Sequence, residues 1–316
     1  MFHAGSRRFA RAQLPATLCP LTSPDAQVTD CLQRFLFEGV PVRGELVHLD
    51  ATWRAVLDRH AYPEPLRAAM GELMAAAALL SATLKFNGSL IMQVQGTGPV
   101  KLIVVECTSE QTMRATAKWD GELGASELRA LVGEGRFVIT IAPTDAKQTY
   151  QGVVELEGAS VAAMLEHYMT TSEQLETRLW LAADTQQAAG MLLQRVPGAA
   201  DVDPDSWNRA VKLGETVTPG ELLRLPARQI IRRLYHAEDI RLFETRVVSF
   251  RCSCSRERVV NMLRLLGRQE VKSILQERGA VEVSCEFCNR HYAFDPVDAE
   301  QVFAAELITE AGHTRH

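Results

Sequence analysis

Alternation of hydrophobic and polar residues along the first two thirds of the chain predicts a series of short β-strands. The predicted strands are 43–49, 89–95, 100–106, 114–119, 137–142, 150–156 and 175–183. Hydrophobic residues at helical spacing predict helices over residues 53–60, 65–86 and 161–169. The sequence Gly-Thr-Gly-Pro at 96–99 predicts the turn of a hairpin. Antiparallel pairs with segregated helices predict an N-terminal α+β domain rather than a doubly wound one.

A different pattern begins after a stretch rich in Pro, Gly and Asp at residues 196–205, which predicts a boundary. Residues 220–244 are amphipathic, because apolar side chains recur there at helical spacing. These side chains are Leu223, Ile230, Ile231, Leu234, Tyr235 and Leu242. We interpret the segment as a helical linker that packs on the first domain and is able to move. Two further helices are predicted at 257–266 and 270–278, each ended by a glycine.

Composition and charge exclude some classes of protein. The chain has 316 residues, of which 47% are hydrophobic and 23% charged, with a net charge of −5. This charge argues against nucleic-acid binding through bulk positive charge. The longest apolar run, 73–84, is too short for a membrane span, so it predicts a buried helix. The first 24 residues carry three arginines but lack the apolar core of a secretory signal, and between a transit peptide and a disordered extension we favour the extension.

Four of the seven cysteines form two close pairs near the C-terminus. They are Cys252 and Cys254, then Cys285 and Cys288, with 30 residues between the pairs. We expect a cytoplasmic protein, in which thiols stay reduced and such a cluster indicates metal or redox chemistry rather than structural disulfides. Two pairs of thiolates brought together make the tetrahedral four-sulfur site that zinc prefers. The sequence therefore predicts one Zn²⁺ per chain in the reduced state, and His291 is not needed as a ligand.

The short spacing within each pair also predicts the result of oxidation. Cys252 can close on Cys254 and Cys285 on Cys288, and a sulfur in a disulfide no longer serves as a zinc ligand. Structural zinc contributes roughly 10–16 kcal/mol to folding, whereas a whole domain is stable by about 5–15 kcal/mol. Disulfides that close loops of three or four residues constrain the chain little. Loss of the metal should therefore unfold the C-terminal region. A permanent zinc centre with a purely structural role remains an alternative.

With these residues in view, the chain resembles the 33 kDa chaperonin family, the redox-regulated heat-shock holdases of bacteria. The resemblance covers roughly residues 28–300 and is carried most specifically by FRCSCSRERV (250–259) and VEVSCEFCNRHYAFD (281–295). Three further segments support it: RFLFEGVPVRGELVHL, LLSATLKFNGSLIMQVQGTGP and YHAEDIRLFE. The chain departs from the family pattern in its N-terminal extension and in three additional cysteines, Cys19, Cys31 and Cys107. Cys107 lies in a strand-like run and is interpreted as a small core residue.

The resemblance implies a function and a division of the chain. It implies an ATP-independent chaperone that is inactive while zinc holds the C-terminal module folded. Oxidative stress with heat would form both disulfides, release zinc, unfold the module and linker, and produce a homodimer that binds unfolding client proteins. The implied client-binding region is the linker and the surface it covers. The predicted parts are a disordered extension (1–27), the N-terminal domain (28–196), the linker (197–248) and the zinc-binding redox-switch domain (249–316).

Two other classes were weighed against this interpretation. A constitutive zinc-ribbon that binds nucleic acid or another partner is disfavoured, since 246–295 carries nine basic and six acidic residues and 296–316 adds one basic and four acidic. A thiol oxidoreductase that uses the Cys285–Cys288 motif is disfavoured because such motifs start a helix beside a βαβ unit, whereas this one follows a strand-like segment. We therefore expect no enzyme activity, no nucleic-acid ligand and no membrane association.

Overall fold

The structure is a computed structural model that describes residues 30–124, 127–145, 148–197 and 203–311, with side chains up to residue 303. The predicted extension and Cys19 lie outside the described residues, as do residues 198–202 of the predicted boundary at 196–205. The strands are β1 (Cys31–Phe37), β2 (Val42–Leu49), β3 (Gly88–Gly96), β4 (Val100–Thr108), β5 (Thr112–Trp119), β6 (Gly135–Pro143), β7 (Tyr150–Val154), β8 (Thr177–Ala183), β9 (Ala188–Arg195), β10 (Ile240–Leu242), β11 (Arg246–Val247), β12 (Ser249–Phe250), β13 (Val281–Ser284) and β14 (His291–Phe294).

The helices alternate irregularly with these strands. They are α1 (Ala51–Leu57), α2 (Glu64–Thr83), α3 (Leu128–Val132), α4 (Val161–Thr171), α5 (Ser206–Gly214), α6 (Pro219–Arg224), α7 (Ala227–Tyr235), α8 (Arg256–Leu266), α9 (Arg268–Arg278) and α10 (Pro296–Ala311). The predicted α+β fold is confirmed, and each predicted strand and N-terminal helix corresponds to an element within a few residues of its predicted bounds. In the N-terminal domain, strands β1 and β9 and helix α3 were not predicted.

An antiparallel sheet, a mixed sheet and a hairpin organise the described chain. The first sheet has the order β10-β1-β2-β9-β8, with β11 also paired to β1. The second has the order β12-β5-β4-β3-β6-β7, in which β12 runs parallel to β5 and the other neighbours are antiparallel. Strands β13 and β14 form a separate two-stranded hairpin.

Helix α2 lies between the two large sheets and forms the centre of the main core. Its alanines and leucines are almost all buried, against β8 and β9 on one side and β4 on the other. Among the described residues it is the one helix long and apolar enough to cross a membrane, but 78% of its most apolar window is buried in the protein. The apolar stretch predicted as a buried helix is therefore the core helix of the domain.

The linker differs from the prediction of one amphipathic segment over 220–244. Helix α6 ends at Arg224, Pro226 begins α7, and the chain becomes strand β10 from Ile240. Leu225 before the proline is extended (ψ 139°), as the steric demands of proline require. The apolar faces of α5, α6 and α7 pack on the outer face of the first sheet and bury Leu223, Ile230, Ile231, Leu234 and Tyr235. Leu242, predicted on the same face, is 39% exposed in β10.

The C-terminal residues form a small module with its own core. Helices α8, α9 and α10 surround the β13–β14 hairpin, and Gly267 and Gly279 end α8 and α9 with positive φ, as predicted. Its buried apolar residues are Val259, Leu263, Val271, Val281, Tyr292, Phe294, Ala299, Val302 and Phe303. Cys254 and Cys285 are partly buried and pack against this core, so the cysteine pairs border the core of the module.

Candidate metal centre

The first cysteine pair lies between the body of the protein and helix α8. Strand β12 ends at Phe250, and Cys252 and Cys254 follow in extended backbone. Ser255 then caps α8 by accepting a hydrogen bond from the Arg258 N–H at 3.2 Å. The helix start fixes the direction in which the chain leaves Cys254, and so holds the pair on the side of the hairpin.

The second pair lies in the turn that joins β13 to β14. The Cys285 N–H donates to the Arg290 carbonyl at 2.9 Å, and the Asn289 N–H donates to the Cys285 carbonyl at 2.7 Å. Asn289 has a left-handed backbone (φ 57°), which asparagine tolerates better than most residues. The backbone N–H groups of Phe287 and Cys288 face the Cys285 sulfur. Amides directed at a sulfur stabilise a thiolate there, as in metal-binding turns.

The four cysteine sulfur atoms form one cluster. Their Sγ atoms all lie within 4.8 Å of one another, with Cys252 and Cys285 3.6 Å apart and Cys254 and Cys288 3.3 Å apart. A tetrahedral zinc site with Zn–S bonds of about 2.3 Å has sulfurs about 3.8 Å apart. Among the described residues, this is the one group of cysteine, histidine or acidic side chains close enough to hold a metal ion. The donor set and the spacing fit a four-sulfur metal site.

Electrostatics also favour a cation at this point. Burial alone would raise the pKa of Cys254, but hydrogen bonds from Tyr292 and the neighbouring thiols outweigh it and bring the pKa to about 7. Burial, with the crowded sulfurs, raises the pKa of Cys288 to about 12. Several negative sulfurs cannot share one place without a positive charge. A divalent cation would supply it.

Groups around the sulfurs orient them. The Tyr292 hydroxyl donates to the Cys254 sulfur at 3.1 Å, and the Arg114 guanidinium approaches the Cys252 sulfur at 3.9 Å. His291 lies outside the sulfur cluster: it is exposed, and its Nδ1 is hydrogen bonded to the Ser284 hydroxyl at 2.8 Å.

Cys31 and Cys107 are buried in β1 and β4, far along the chain from the cluster. Burial raises the pKa of Cys107 to about 12, so this thiol is inert, and the interpretation of Cys107 as a core residue is confirmed.

A set of contacts between the cysteine turn and the body could not be predicted from the sequence. The Glu286 carbonyl accepts hydrogen bonds from His60 Nε2 at 2.8 Å and from the Thr116 hydroxyl at 2.9 Å. The Glu286 carboxylate pairs with Lys118 at 2.7 Å, and the Arg114 guanidinium lies 4.1 Å from the centre of the Phe287 ring. The sequence pattern that indicates this contact surface is the alternation in β5, which places its polar residues on one face and Ala115 and Ala117 in the core.

Comparison with known proteins gives a consistent result. The family model described as Hsp33 protein matches residues 30–295. The chain is 52% identical to the 33 kDa chaperonin of Methylobacillus flagellatus over 292 residues, which covers 92% of this chain and all of the relative. It is 54% identical to the 33 kDa chaperonin of Chromobacterium violaceum, with 91% and 98% of the two chains covered.

A solved structure also shares the fold. The crystal structure of the 33 kDa chaperonin (heat shock protein 33 homolog) of Thermotoga maritima superposes with a TM-score of 0.76 at 21% identity, and the match covers 88% of this chain and 99% of that one. At this identity the match supports the architecture, while the two closer relatives connect the chain to named chaperonins.

Proposed function

Because the chain belongs to the Hsp33 family of 33 kDa chaperonins, we propose that it is an ATP-independent holdase switched on by oxidation of four cysteines. The single observation that carries this proposal is the meeting of the four sulfurs within 4.8 Å in a module with a small core. Such a module depends on a cross-link for its stability, and a cross-link made of thiolates is sensitive to oxidants.

In the reduced state, Cys252, Cys254, Cys285 and Cys288 would be the ligands of one Zn²⁺. Bound zinc would supply a positive charge and four bonds that tie β12, α8 and the β13–β14 hairpin together. The chain's own groups prepare the site: amides of the turn face the Cys285 sulfur, and the Tyr292 hydroxyl donates to Cys254.

Oxidation would remove the ligands two at a time. Cys252 would form a disulfide with Cys254 and Cys285 with Cys288, each pair losing two electrons to an oxidant such as hydrogen peroxide. Four thiolates, two peroxide molecules and four protons give two disulfides and four water molecules, and the metal ion is released. The remaining core, with nine buried apolar side chains up to residue 303, would be too small to hold the module folded.

Unfolding of the module would spread to the linker. We propose the division predicted from the sequence: domain 28–196, linker 197–248 and switch domain 249–316. Helices α5, α6 and α7 cover Phe35, Phe37, Val42 and Leu46 on the outer face of the first sheet, and their release would expose this apolar surface to client proteins. The exposed surface would also support a homodimer of the oxidised form. We further propose a cytoplasmic protein of the stress response that has no enzyme activity and binds neither nucleic acid nor membranes.

A paired aggregation assay tests this proposal. Reduced, zinc-loaded protein and peroxide-treated protein are each mixed with a heated client without ATP, while released zinc is followed with a chromogenic chelator. We expect one zinc released per chain and protection by the oxidised form alone. Cys252→Ser with Cys285→Ser should release no zinc on oxidation, and Cys107→Ser serves as the matched control. Equal protection by both forms would contradict the switch and favour a constitutive zinc module.

A further inference from the structure

The contact between the Cys285–Cys288 turn and the body involves one face of one strand. Arg114, Thr116 and Lys118 occupy alternate positions of β5, so all three project from the side of the sheet that faces away from α2. Each touches the turn: Arg114 at the Phe287 ring, Thr116 at the Glu286 carbonyl and Lys118 at the Glu286 carboxylate. Three consecutive outward residues of β5 therefore contact the same two residues of the turn, Glu286 and Phe287. Together they form a docking surface.

The body holds these side chains in place. Arg114 is paired with Glu106, its cross-strand neighbour in β4, and both side chains are 17% exposed. His60, which follows α1, stacks near Tyr62, and Tyr62 stacks near Trp119 at the end of β5, with ring centroids 5.4 Å apart in both pairs. Arg114 and His60 are therefore held in place by other residues of the body, which lowers the entropic cost of docking the turn on them.

One peptide unit connects the sulfur site to this surface. The N–H of the peptide bond between Glu286 and Phe287 faces the Cys285 sulfur, and its carbonyl faces His60 and Thr116. In a trans peptide the N–H and the C=O point in opposite directions within one rigid plane. The orientation that directs the N–H of this peptide at the Cys285 sulfur is thus also the orientation that directs its carbonyl at His60 and Thr116.

We propose that the outward face of β5, together with His60, is a docking site for the Cys285–Cys288 turn, and that the Glu286–Phe287 peptide plane reports the state of the Cys285 sulfur to the N-terminal domain. The part about reporting rests on the proposed redox function. A disulfide between Cys285 and Cys288 closes the turn into a small ring that contains Glu286 and Phe287, so the peptide bond between them must change its direction. The peptide plane then rotates, and the Glu286 carbonyl leaves His60 and Thr116. The Cys285–Cys288 turn thereby undocks from the outward face of β5 at the moment of oxidation, independently of unfolding in the linker and while β12 stays paired with β5.

Zero-length cross-linking of the full chain tests this inference directly. A carbodiimide joins an amine and a carboxylate only when they touch, and Lys118 and Glu286 do so at 2.7 Å with half-exposed side chains. Lys101 and Asp120, 3.9 Å apart within the N-terminal domain, provide an internal control. We expect the Lys118–Glu286 product in the reduced, zinc-loaded protein and a fall of about ten-fold after oxidation, the change expected from losing one to two hydrogen bonds. The control product should be unchanged.

A single variant isolates the hydrogen bond from the redox chemistry. Thr116→Val keeps the shape of the side chain and removes the hydroxyl that donates to Glu286. It should lower the cross-link yield of the reduced protein by about five-fold while zinc content stays at one per chain. Thr177→Val is the matched control, because Thr177 is also buried in a strand but its hydroxyl donates to Leu175 at 3.0 Å.

The outcomes separate this inference from the proposed function. Persistence of the Lys118–Glu286 product in oxidised protein, or a wild-type yield in Thr116→Val, would overturn the inference even if oxidised protein protects clients. Loss of the product on oxidation without client protection would support the inference and contradict the proposed function. If peroxide forms no disulfide, the sulfur site is changed instead by removal of zinc with a chelator. An unchanged yield of the Lys118–Glu286 product after this treatment would also overturn the inference.

Discussion

The N-terminal domain and the C-terminal module solve the same problem of stability by different means. The N-terminal domain buries a long helix between two sheets, and its core holds several times as many apolar side chains as the module. Among the side chains that the structure describes, the module buries nine such side chains around a hairpin of four-residue strands. Because stability grows with buried apolar area, we expect the first to fold by itself and the second to need the proposed metal cross-link. Under the proposed function, this difference would let one chain combine a part that unfolds on oxidation with a part that stays folded.

The largest effect expected from this comparison is that of metal removal. Chelation of zinc from the reduced protein removes a contribution of roughly 10–16 kcal/mol, more than a small module can lose. Amide hydrogen exchange should show loss of protection throughout α8, α9 and the β13–β14 hairpin, while α2 keeps its protection. A module that stays protected without metal would show that its core is sufficient.

A matched pair of core substitutions gives the next largest effect. Phe294 in the module is 1% exposed and Phe137 in the N-terminal domain is fully buried. Replacement of either by alanine should cost about 3–5 kcal/mol of the free energy of unfolding. Phe294→Ala should abolish protection of the module and weaken zinc binding, whereas Phe137→Ala should lower the denaturation midpoint of a domain that remains folded. Equal tolerance of both changes, measured by urea denaturation and hydrogen exchange, would remove the distinction.

Docking of the linker should respond to protonation as well as to the proposed oxidation of the cysteines. His48 in β2 is 1% exposed and its Nε2 is 2.9 Å from the Leu222 carbonyl of α6; burial lowers its pKa to about 4. Because the unfolded chain takes up a proton near pH 6.5 and the folded chain does not, stability is full above pH 6.5. It falls as the pH drops to 4, by about 3 kcal/mol in total.

His48→Gln keeps a donor for Leu222 and has no such titration. The difference between the unfolding free energies of the wild type and this variant should therefore change with pH between 6.5 and 4. Parallel curves for the two proteins would assign the acid sensitivity to other groups.

The smallest expected effect concerns the cap of α6. Thr218 accepts from the Glu221 N–H at 3.2 Å, and the Glu221 carboxylate accepts from the Thr218 N–H at 2.9 Å. Thr218→Ala should cost about 1 kcal/mol and speed hydrogen exchange in α6 alone. Faster exchange in the module as well would show that the linker and the module open as one unit.

The parts of the fold that were predictable are those with one buried face or one clear turn. The β3–β4 hairpin and the two glycine-ended helices of the module follow from alternation and turn residues in the sequence. Strand β9 was missed because it packs against α2 on one face and the linker on the other, so its residues do not alternate in polarity. The linker was predicted as one helical segment because its apolar spacing continues across Pro226, which nevertheless divides it.

The cysteine site could be predicted because metal-ligand spacing is a local property of the sequence. Its docking on β5 could not, because Glu286 meets Thr116 across 170 positions of the chain through a backbone carbonyl. Any residue type supplies a backbone carbonyl, so no side-chain pattern records the contact. The alternation of Arg114, Thr116 and Lys118 predicted an outward face but not what lies on it.

Strand β12 restrains the chain immediately before the first cysteine pair. The Ser249 N–H donates to the Gln111 carbonyl at 3.1 Å and the Arg251 N–H to the Met113 carbonyl at 2.9 Å, so the chain is attached to the edge of the second sheet up to the residue before Cys252. The chain from Arg251 to Cys252 is short, since two fully extended residues span only about 7 Å. The sulfur centre is consequently restrained by the edge of the second sheet. It cannot move away as an intact body while β12 stays paired with β5, so the folded module can leave only after this short strand has separated from its neighbour.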